Sequence, residues 1–175
     1  MGNKKEFDNI LIVGLGLIGG SIAKKIKEID CSANVYGFEK NLEILKEANK
    51  KGLVINDKEI DLKNSKNLLV IFCVPVLSFK NALDSVKKYL PSQNIIFTDT
   101  LSTKTEIFNT LAVEFSDILS KFVLSHPIAG SEKSSLYNSK KALFEKKVVV
   151  ISPHEQNNKN DIDHVINFWR LLGSS

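Results

Sequence analysis

The stretch "NILIVGLGLIGGS", residues 9–21, decides the fold. A short apolar run is followed at once by Gly14-x-Gly16-x-x-Gly19, and apolar residues then recur at helical spacing. Glycines suit such a turn because they allow the tight bend, the close approach of a pyrophosphate and close packing of helix on strand. The helix N-terminus adds unpaired N–H groups and the positive end of its dipole. The pattern predicts a dinucleotide-binding unit, with a ligand-free glycine turn as the alternative.

An acidic residue at the end of the next predicted strand supports this interpretation. Glu39 follows Gly19 at about the spacing of twenty residues where such units hold the adenosine ribose. Its charge would repel a 2′-phosphate, so we expect NAD rather than NADP, although the adjacent Lys40 partly offsets the repulsion. A plain surface glutamate is the alternative. The residues predicted to contact the cofactor are Gly14, Gly16, Leu17, Ile18, Gly19, Glu39, Lys40, Cys73, Val74, Pro75 and Thr100.

Outward from the glycine turn, apolar runs alternate with helical patterns along all 175 residues. This alternation predicts an α/β fold of the Rossmann type, a doubly wound and mostly parallel sheet with helices on both faces, as a single domain over residues 1–175. The predicted strands are 9–14, 34–38, 53–56 (weak), 67–74, 94–99, 121–126 and 146–152, and the predicted helices are 18–29, 42–51, 79–90, 107–115 and 161–172.

Composition narrows the possible partners and location. Hydrophobic residues make up 43% of the chain, which is typical of a globular protein, and no apolar run approaches the ~20 residues of a membrane span. The 24 basic residues are scattered, so no nucleic-acid partner is expected. The two cysteines form no CxxC pair, and the N-terminus does not resemble a signal peptide. We therefore expect a cytoplasmic protein.

Two polar segments follow predicted strands, "TDTLSTK" at 98–104 and "SHPIAGSE" at 125–132. Because the carboxyl ends of parallel strands open onto one edge of the sheet, Ser102 and His126 are expected beside the cofactor. Histidine titrates near neutral pH and suits general-base catalysis, and the following proline restricts its backbone; a purely structural histidine is the alternative.

Other polar residues have weaker assignments. Ser131 and Glu132 are expected at the substrate mouth, or else in a solvent-exposed loop cap. Cys73 is expected to pack rather than to act as a nucleophile, and Lys104 to cap a helix or pair locally. We assign no metal site, and no role to His154, in a polar loop, or to His164, on an apparently exposed helix.

The segments "GLGLIGGS", "VPV", "TDTLSTK" and "SHPIAGSE", in this order, resemble the prephenate dehydrogenase family over essentially the whole chain. The resemblance implies that His126 takes the proton of the ring hydroxyl of prephenate, that hydride passes to NAD, and that the ring carboxylate leaves as carbon dioxide. It implies that Ser102 bonds to the hydroxyl or to the imidazole. Leu101 stands where the family usually has glycine, and its bulk is expected to alter the loop.

The resemblance also implies a helical domain, C-terminal to this one, that builds a homodimer and supplies arginines to the substrate carboxylates. We expect that domain to lie outside these 175 residues, whose one arginine is Arg170. The chain alone is then expected to bind NAD and to oxidise little prephenate.

Three alternatives remain. An arogenate dehydrogenase would share every segment quoted above. A β-hydroxyacid dehydrogenase shares the glycine turn but normally uses a lysine from a later helix, and "SHPIAGSE" argues against it. A regulatory module that senses NAD without turnover is disfavoured by the presence of both Ser102 and His126.

Overall fold

The computed structural model describes residues 7–29, 31–55, 62–129 and 135–175. Their order alternates strand and helix, as the sequence predicts. The strands are β1 (Asn9–Val13), β2 (Asn34–Phe38), β3 (Leu68–Phe72), β4 (Ile95–Asp99), β5 (Phe122–Pro127) and β6 (Val149–Ser152). The helices are α1 (Leu17–Glu28), α2 (Leu42–Lys50), α3 (Phe79–Lys87), α4 (Lys104–Glu114), α5 (Ser116–Leu119) and α6 (Lys159–Leu171), with short 3₁₀ turns at Val76–Ser78 and Leu136–Asn138.

The six strands form one sheet in the order β2-β1-β3-β4-β5-β6. Strands β1 to β5 are parallel, and β6 runs antiparallel to β5. The predicted doubly wound, mostly parallel sheet is therefore confirmed. The strand order reverses between β1 and β3, which is the switch point where such sheets bind ligands.

The alternation of side chains along the buried strands divides the core into two layers. Ile10 and Ile12 of β1 pack into the core on one face of the sheet, and Leu11 and Val13 pack into the core on the other. Strand β3 is buried at all five positions. Helices on both faces are thus required to cover the sheet, and each apolar face carries on the order of 25 cal/mol of stabilisation per Å² buried.

The predicted strand at 53–56 is wrong. Within the described residues, only Ile55 bridges to Tyr36 of β2, and Asn56 lies outside them. Leu53 and Val54 are buried among core residues instead. The segment lies beside β2, where a further strand would lie. Its apolar side chains pack into the core, but its described backbone forms a single bridge instead of a ladder of hydrogen bonds.

Element ends differ from the predictions at several places. Helix α3 ends at Lys87, α4 begins at Lys104, and α5 forms a short helix that the sequence did not indicate. Strand β6 begins only at Val149, because Lys146 has a φ of 57° and turns the chain before it. Such shifts at element ends are common, since helix ends fray and turns extend them.

The two remaining histidines belong to the packing. His164 is half-buried, with its ring 5.8 Å from that of Phe7, so the prediction of an exposed position for it is wrong. His154 Nε2 lies 3.1 Å from the carbonyl oxygen of Phe122, at the amino end of β5, and its ring meets Phe108 edge-on.

No helix among the described residues has both the length and the apolar character needed to cross a bilayer.

Candidate active site

A cavity of about 540 Å³ opens at the switch point, above the carboxyl ends of β1, β3, β4 and β5. Of the predicted cofactor and catalytic residues, all line it except Gly19, which lies beneath the turn. The cavity is lined by Val13, Gly14, Gly16, Leu17, Ile18, Phe38, Glu39, Lys40, Cys73, Val74, Pro75, Ser78, Ala82, Thr100, Ser102, His126, Pro127 and Ala129.

The three glycines of the turn are there for different reasons. Gly14 has a φ of 93°, and a Cβ there would lie 2.7 Å from the carbonyl oxygen of Cys73. A Cβ on Gly19 would overlap the carbonyl oxygen of Gly14, so helix and strand meet closely there. A Cβ on Gly16 would meet no protein atom within 4 Å. The fold does not require glycine at Gly16, whereas a ligand that approaches this backbone does.

Glu39 is held at the end of this cleft beside β2 by backbone N–H groups. Its Oε2 accepts from Leu15 N at 2.8 Å, and its Oε1 accepts from Asn41 N at 3.0 Å. The side chain of Asn41 in turn caps α2. The carboxylate is therefore fixed between the glycine turn and the start of α2, at the wall of the cavity.

Cys73 lies where β3 ends. Its backbone N donates to the carbonyl of Val13 at 2.7 Å, which joins the two strands at the switch point. Burial raises the pKa of the Cys73 thiol to about 12. A thiol with that pKa is protonated near neutral pH, so Cys73 is not a nucleophile there.

His126 is half-buried at the end of β5, with Nδ1 3.1 Å from the carbonyl oxygen of Thr100. A carbonyl only accepts, so this bond requires the proton on Nδ1. In the neutral ring Nε2 is then the unprotonated, basic nitrogen. The ring can therefore take a proton from a ligand in the cavity.

Ser102 lines the same cavity but is exposed. In the described part of the chain, the ring nitrogen of His126 bonds to Thr100 and not to Ser102. The preceding Leu101 is buried, and its N–H donates to Asp99 at 3.2 Å. Its bulk is accommodated in the core, with no positive φ at this position.

Sequence analysis missed a polar cluster beneath His126. Asp99 is fully buried; it accepts from Ser125 N at 2.9 Å and forms an ion pair with Lys104. Burial raises the pKa of the Asp99 carboxyl and lowers the pKa of Lys104, and their mutual attraction opposes both shifts. The available signal was the polar run Thr98–Asp99 within an otherwise apolar strand. The expectation that Lys104 pairs locally is confirmed.

Two predicted substrate contacts, Ser131 and Glu132, lie outside the described residues. Among the described residues that line the cavity there is no arginine, and Arg170 is exposed on α6. The described part of the cavity wall combines the glycine turn, the ring of His126 and Ser102, without an arginine fork for carboxylates.

Comparisons with known proteins identify the family of this chain. A sequence model of the family described as "Prephenate dehydrogenase, nucleotide-binding domain" matches residues 22–175. The prephenate dehydrogenase of Lactococcus lactis subsp. cremoris is 32% identical over 147 residues, which are 84% of this chain and 41% of that protein. The prephenate dehydrogenase of Bacillus subtilis is 30% identical over 168 residues, 93% of this chain and 44% of that protein.

A solved structure is similar over nearly the whole chain. It is the prephenate dehydrogenase of A. aeolicus in complex with hydroxyphenyl propionate and NAD+, with a TM-score of 0.82 and 27% identity. The match covers 96% of this chain and 58% of that one. The chain thus spans less than half the length of the two curated relatives.

Proposed function

The chain belongs to the prephenate dehydrogenase family, as its nucleotide-binding domain, and on that premise we propose that it supplies the cofactor site and the catalytic base of an NAD-dependent prephenate dehydrogenase. The reaction is the oxidative decarboxylation of prephenate to 4-hydroxyphenylpyruvate in tyrosine biosynthesis. One observation carries the proposal: His126, with Nδ1 3.1 Å from the carbonyl of Thr100, lines the same cavity as the glycine turn and Glu39.

The proposed base is Nε2 of His126. Oxidation of a secondary alcohol requires removal of the hydroxyl proton as hydride leaves the carbon. The bond from Nδ1 to Thr100 orients the ring and keeps the proton away from Nε2. Ser102, exposed at the cavity wall, is proposed to bond to the substrate hydroxyl. When the carbon loses hydride, the ring carboxylate leaves as carbon dioxide and the ring becomes aromatic.

The residues of the cleft fit NAD. Open space beside Gly16 leaves room for a pyrophosphate at the N-terminus of α1, where unpaired N–H groups and the helix dipole favour an anion. Glu39 is proposed to bind the adenosine ribose, and the Cys73–Pro75 segment to lie along the adenosine side. When bound, NAD supplies the hydride acceptor.

We expect this chain to bind NAD at least about 10-fold more tightly than NADP, because the carboxylate of Glu39 would face the 2′-phosphate. Glu39→Gln keeps the shape and removes the charge, so the preference should shrink, mainly through tighter NADP binding. Calorimetric titration of both nucleotides measures this. The matched control is Glu43→Gln, an exposed residue of the first turn of α2. If the wild-type chain binds NADP as tightly as NAD or more tightly, Glu39 does not exclude the 2′-phosphate as proposed.

The rest of the substrate site is proposed to lie outside these residues. The described cavity wall contains no arginine, and the curated relatives are more than twice as long as the segments they share with this chain. A further helical domain that supplies arginine and forms a homodimer in the cytoplasm is proposed from the family resemblance. Light scattering of a protein of the relatives' length, here called the complete enzyme, tests the dimer, and a monomer would refute it.

A further inference from the structure

The backbone ladder between β4 and β5 stops before the strand ends that open onto the cavity. The paired positions are Phe97 with Phe122 and Thr98 with Val123. Beyond them side chains join the strands: Ser125 N donates to the carboxylate of Asp99 at 2.9 Å, and Ser125 Oγ donates to the carbonyl of Asp99 at 2.6 Å. These two bonds connect the residues that immediately precede Thr100 and His126.

Lys104 closes the connection from α4. Its ammonium group pairs with the Asp99 carboxylate and also donates to the carbonyl of Ser125 at 2.5 Å. The side chain of Asp99 is 0% exposed and that of Lys104 20%. The carboxylate oxygen that pairs with Lys104, Oδ2, also accepts from Leu101 N at 3.2 Å, whereas Oδ1 accepts from Ser125 N. One ion pair thus holds the loop after β4 and the end of β5.

Thr100 is also held by the end of β3. The backbone N and the Oγ1 of Thr100 donate to the carbonyl of Phe72, at 3.0 and 3.3 Å. Ser125 Oγ also accepts from Trp169 Nε1 at 3.1 Å. Thr100 is thus held to β3 and Ser125 to α6, and the contacts of Asp99 and Lys104 join these two ends directly.

We propose that Asp99 and Lys104 are positioning residues for His126. They hold the carbonyl of Thr100 against Nδ1, and so determine that Nε2 is the unprotonated nitrogen of the neutral ring, at the cavity that His126 lines. The inference rests on the proposed role of His126 as the base. Apolar packing alone could also bury the ends of β4 and β5. It would not hold the carbonyl of Thr100 at hydrogen-bond distance from Nδ1 of His126, because hydrogen bonds are directional and apolar contacts are not.

The test is ¹⁵N NMR of the His126 ring in this chain, since the nitrogen shifts report which atom carries the proton. The variants are Asp99→Asn and Lys104→Met. The matched controls, Asp161→Asn and Lys121→Met, remove the partners of another ion pair, in which Asp161 is only 8% exposed and Lys121 lies 3.2 Å away. That pair, in which the side chain of Lys121 is 43% exposed, lies outside the cavity lining, so the controls report loss of a partly buried ion pair without loss of the His126 contact.

In the wild-type chain at alkaline pH, we expect the proton on Nδ1 and a free Nε2. Asp99→Asn and Lys104→Met should give a mixture of both tautomers, and both controls should keep the wild-type pattern. A wild-type ring with its proton on Nε2 would overturn the inference, whether or not any variant folds. So would an unchanged tautomer in folded Asp99→Asn or Lys104→Met.

A kinetic comparison separates this inference from the proposed function. In the complete enzyme, Lys104→Met should lower kcat by roughly 10- to 100-fold, as expected for a misplaced catalytic group, with the affinity for NAD unchanged. If His126→Asn abolishes turnover while Lys104→Met leaves kcat intact, the proposed function stands and the positioning role fails. If His126→Asn retains full turnover, the proposed function itself fails, whereas the tautomer measurement still decides whether Asp99 and Lys104 orient the ring.

Discussion

Replacement of His126 by asparagine is expected to lower turnover of the complete enzyme by about 10²–10⁴-fold, the usual contribution of a general base. The amide nitrogen of asparagine can still donate to the carbonyl of Thr100, so the loop should keep its place. Nothing then remains at the Nε2 position to accept a proton. The affinity for NAD should change little, because the proposed cofactor contacts belong to other residues. Steady-state NADH absorbance and calorimetry measure the two quantities.

His154→Asn is the matched control, since His154 bonds at the amino end of β5, away from the cavity. Its turnover should stay close to that of the wild type. Near-normal turnover of His126→Asn would make His126 a structural residue.

Replacement of Gly16 by valine is expected to weaken NAD binding to this chain by roughly 100-fold, the effect of a steric cost of about 3 kcal/mol. The added side chain meets no protein atom at Cβ, so the temperature of unfolding should stay near that of the wild type. It would instead occupy the space in which we propose that the pyrophosphate approaches the backbone. Titration calorimetry and thermal unfolding, measured on Gly16→Ala and Gly16→Val, separate the two effects.

Gly16→Ala is the control for Gly16→Val, because alanine adds one carbon to the turn and valine adds three. The loss of NAD affinity should therefore be larger in Gly16→Val. Gly14 is unsuitable for this test, since its φ of 93° and the close carbonyl of Cys73 make any side chain a folding defect. Full NAD affinity in Gly16→Val would show that the cofactor does not pass over this turn.

The fold was predictable because its determinants are local in the sequence. Strand β3 is apolar at every position because both faces of the sheet are covered, and the glycine turn marks the switch from β1 to α1. The predicted strand at 53–56 is wrong because Leu53 and Val54 are buried in the core while, among the described residues, only Ile55 bridges to β2. A run of apolar residues indicates that the side chains are buried. It does not show whether their backbone pairs with a neighbouring strand.

The site was predictable only in part. Because the carboxyl ends of parallel strands open onto one edge of the sheet, the sequence predicted that Ser102 and His126 lie near the glycine turn, and both line one cavity with it. The bond from His126 to Thr100 was not foreseen, because a backbone carbonyl has no sequence signature. Asp99 and Lys104 are five positions apart in sequence, yet their importance depends on Ser125, which only the packing of β5 against β4 brings near.

We propose that this chain is the NAD-binding part of a prephenate-oxidising enzyme, and NADH absorbance with prephenate as substrate tests this proposal most directly. The complete enzyme, this chain alone, and the complete enzyme with arogenate should be assayed side by side. We predict NADH formation by the complete enzyme with prephenate, one carbon dioxide released per NADH, and little or none by this chain. Turnover with arogenate alone would contradict the substrate assignment, and NAD binding without turnover of either substrate would contradict the enzyme assignment.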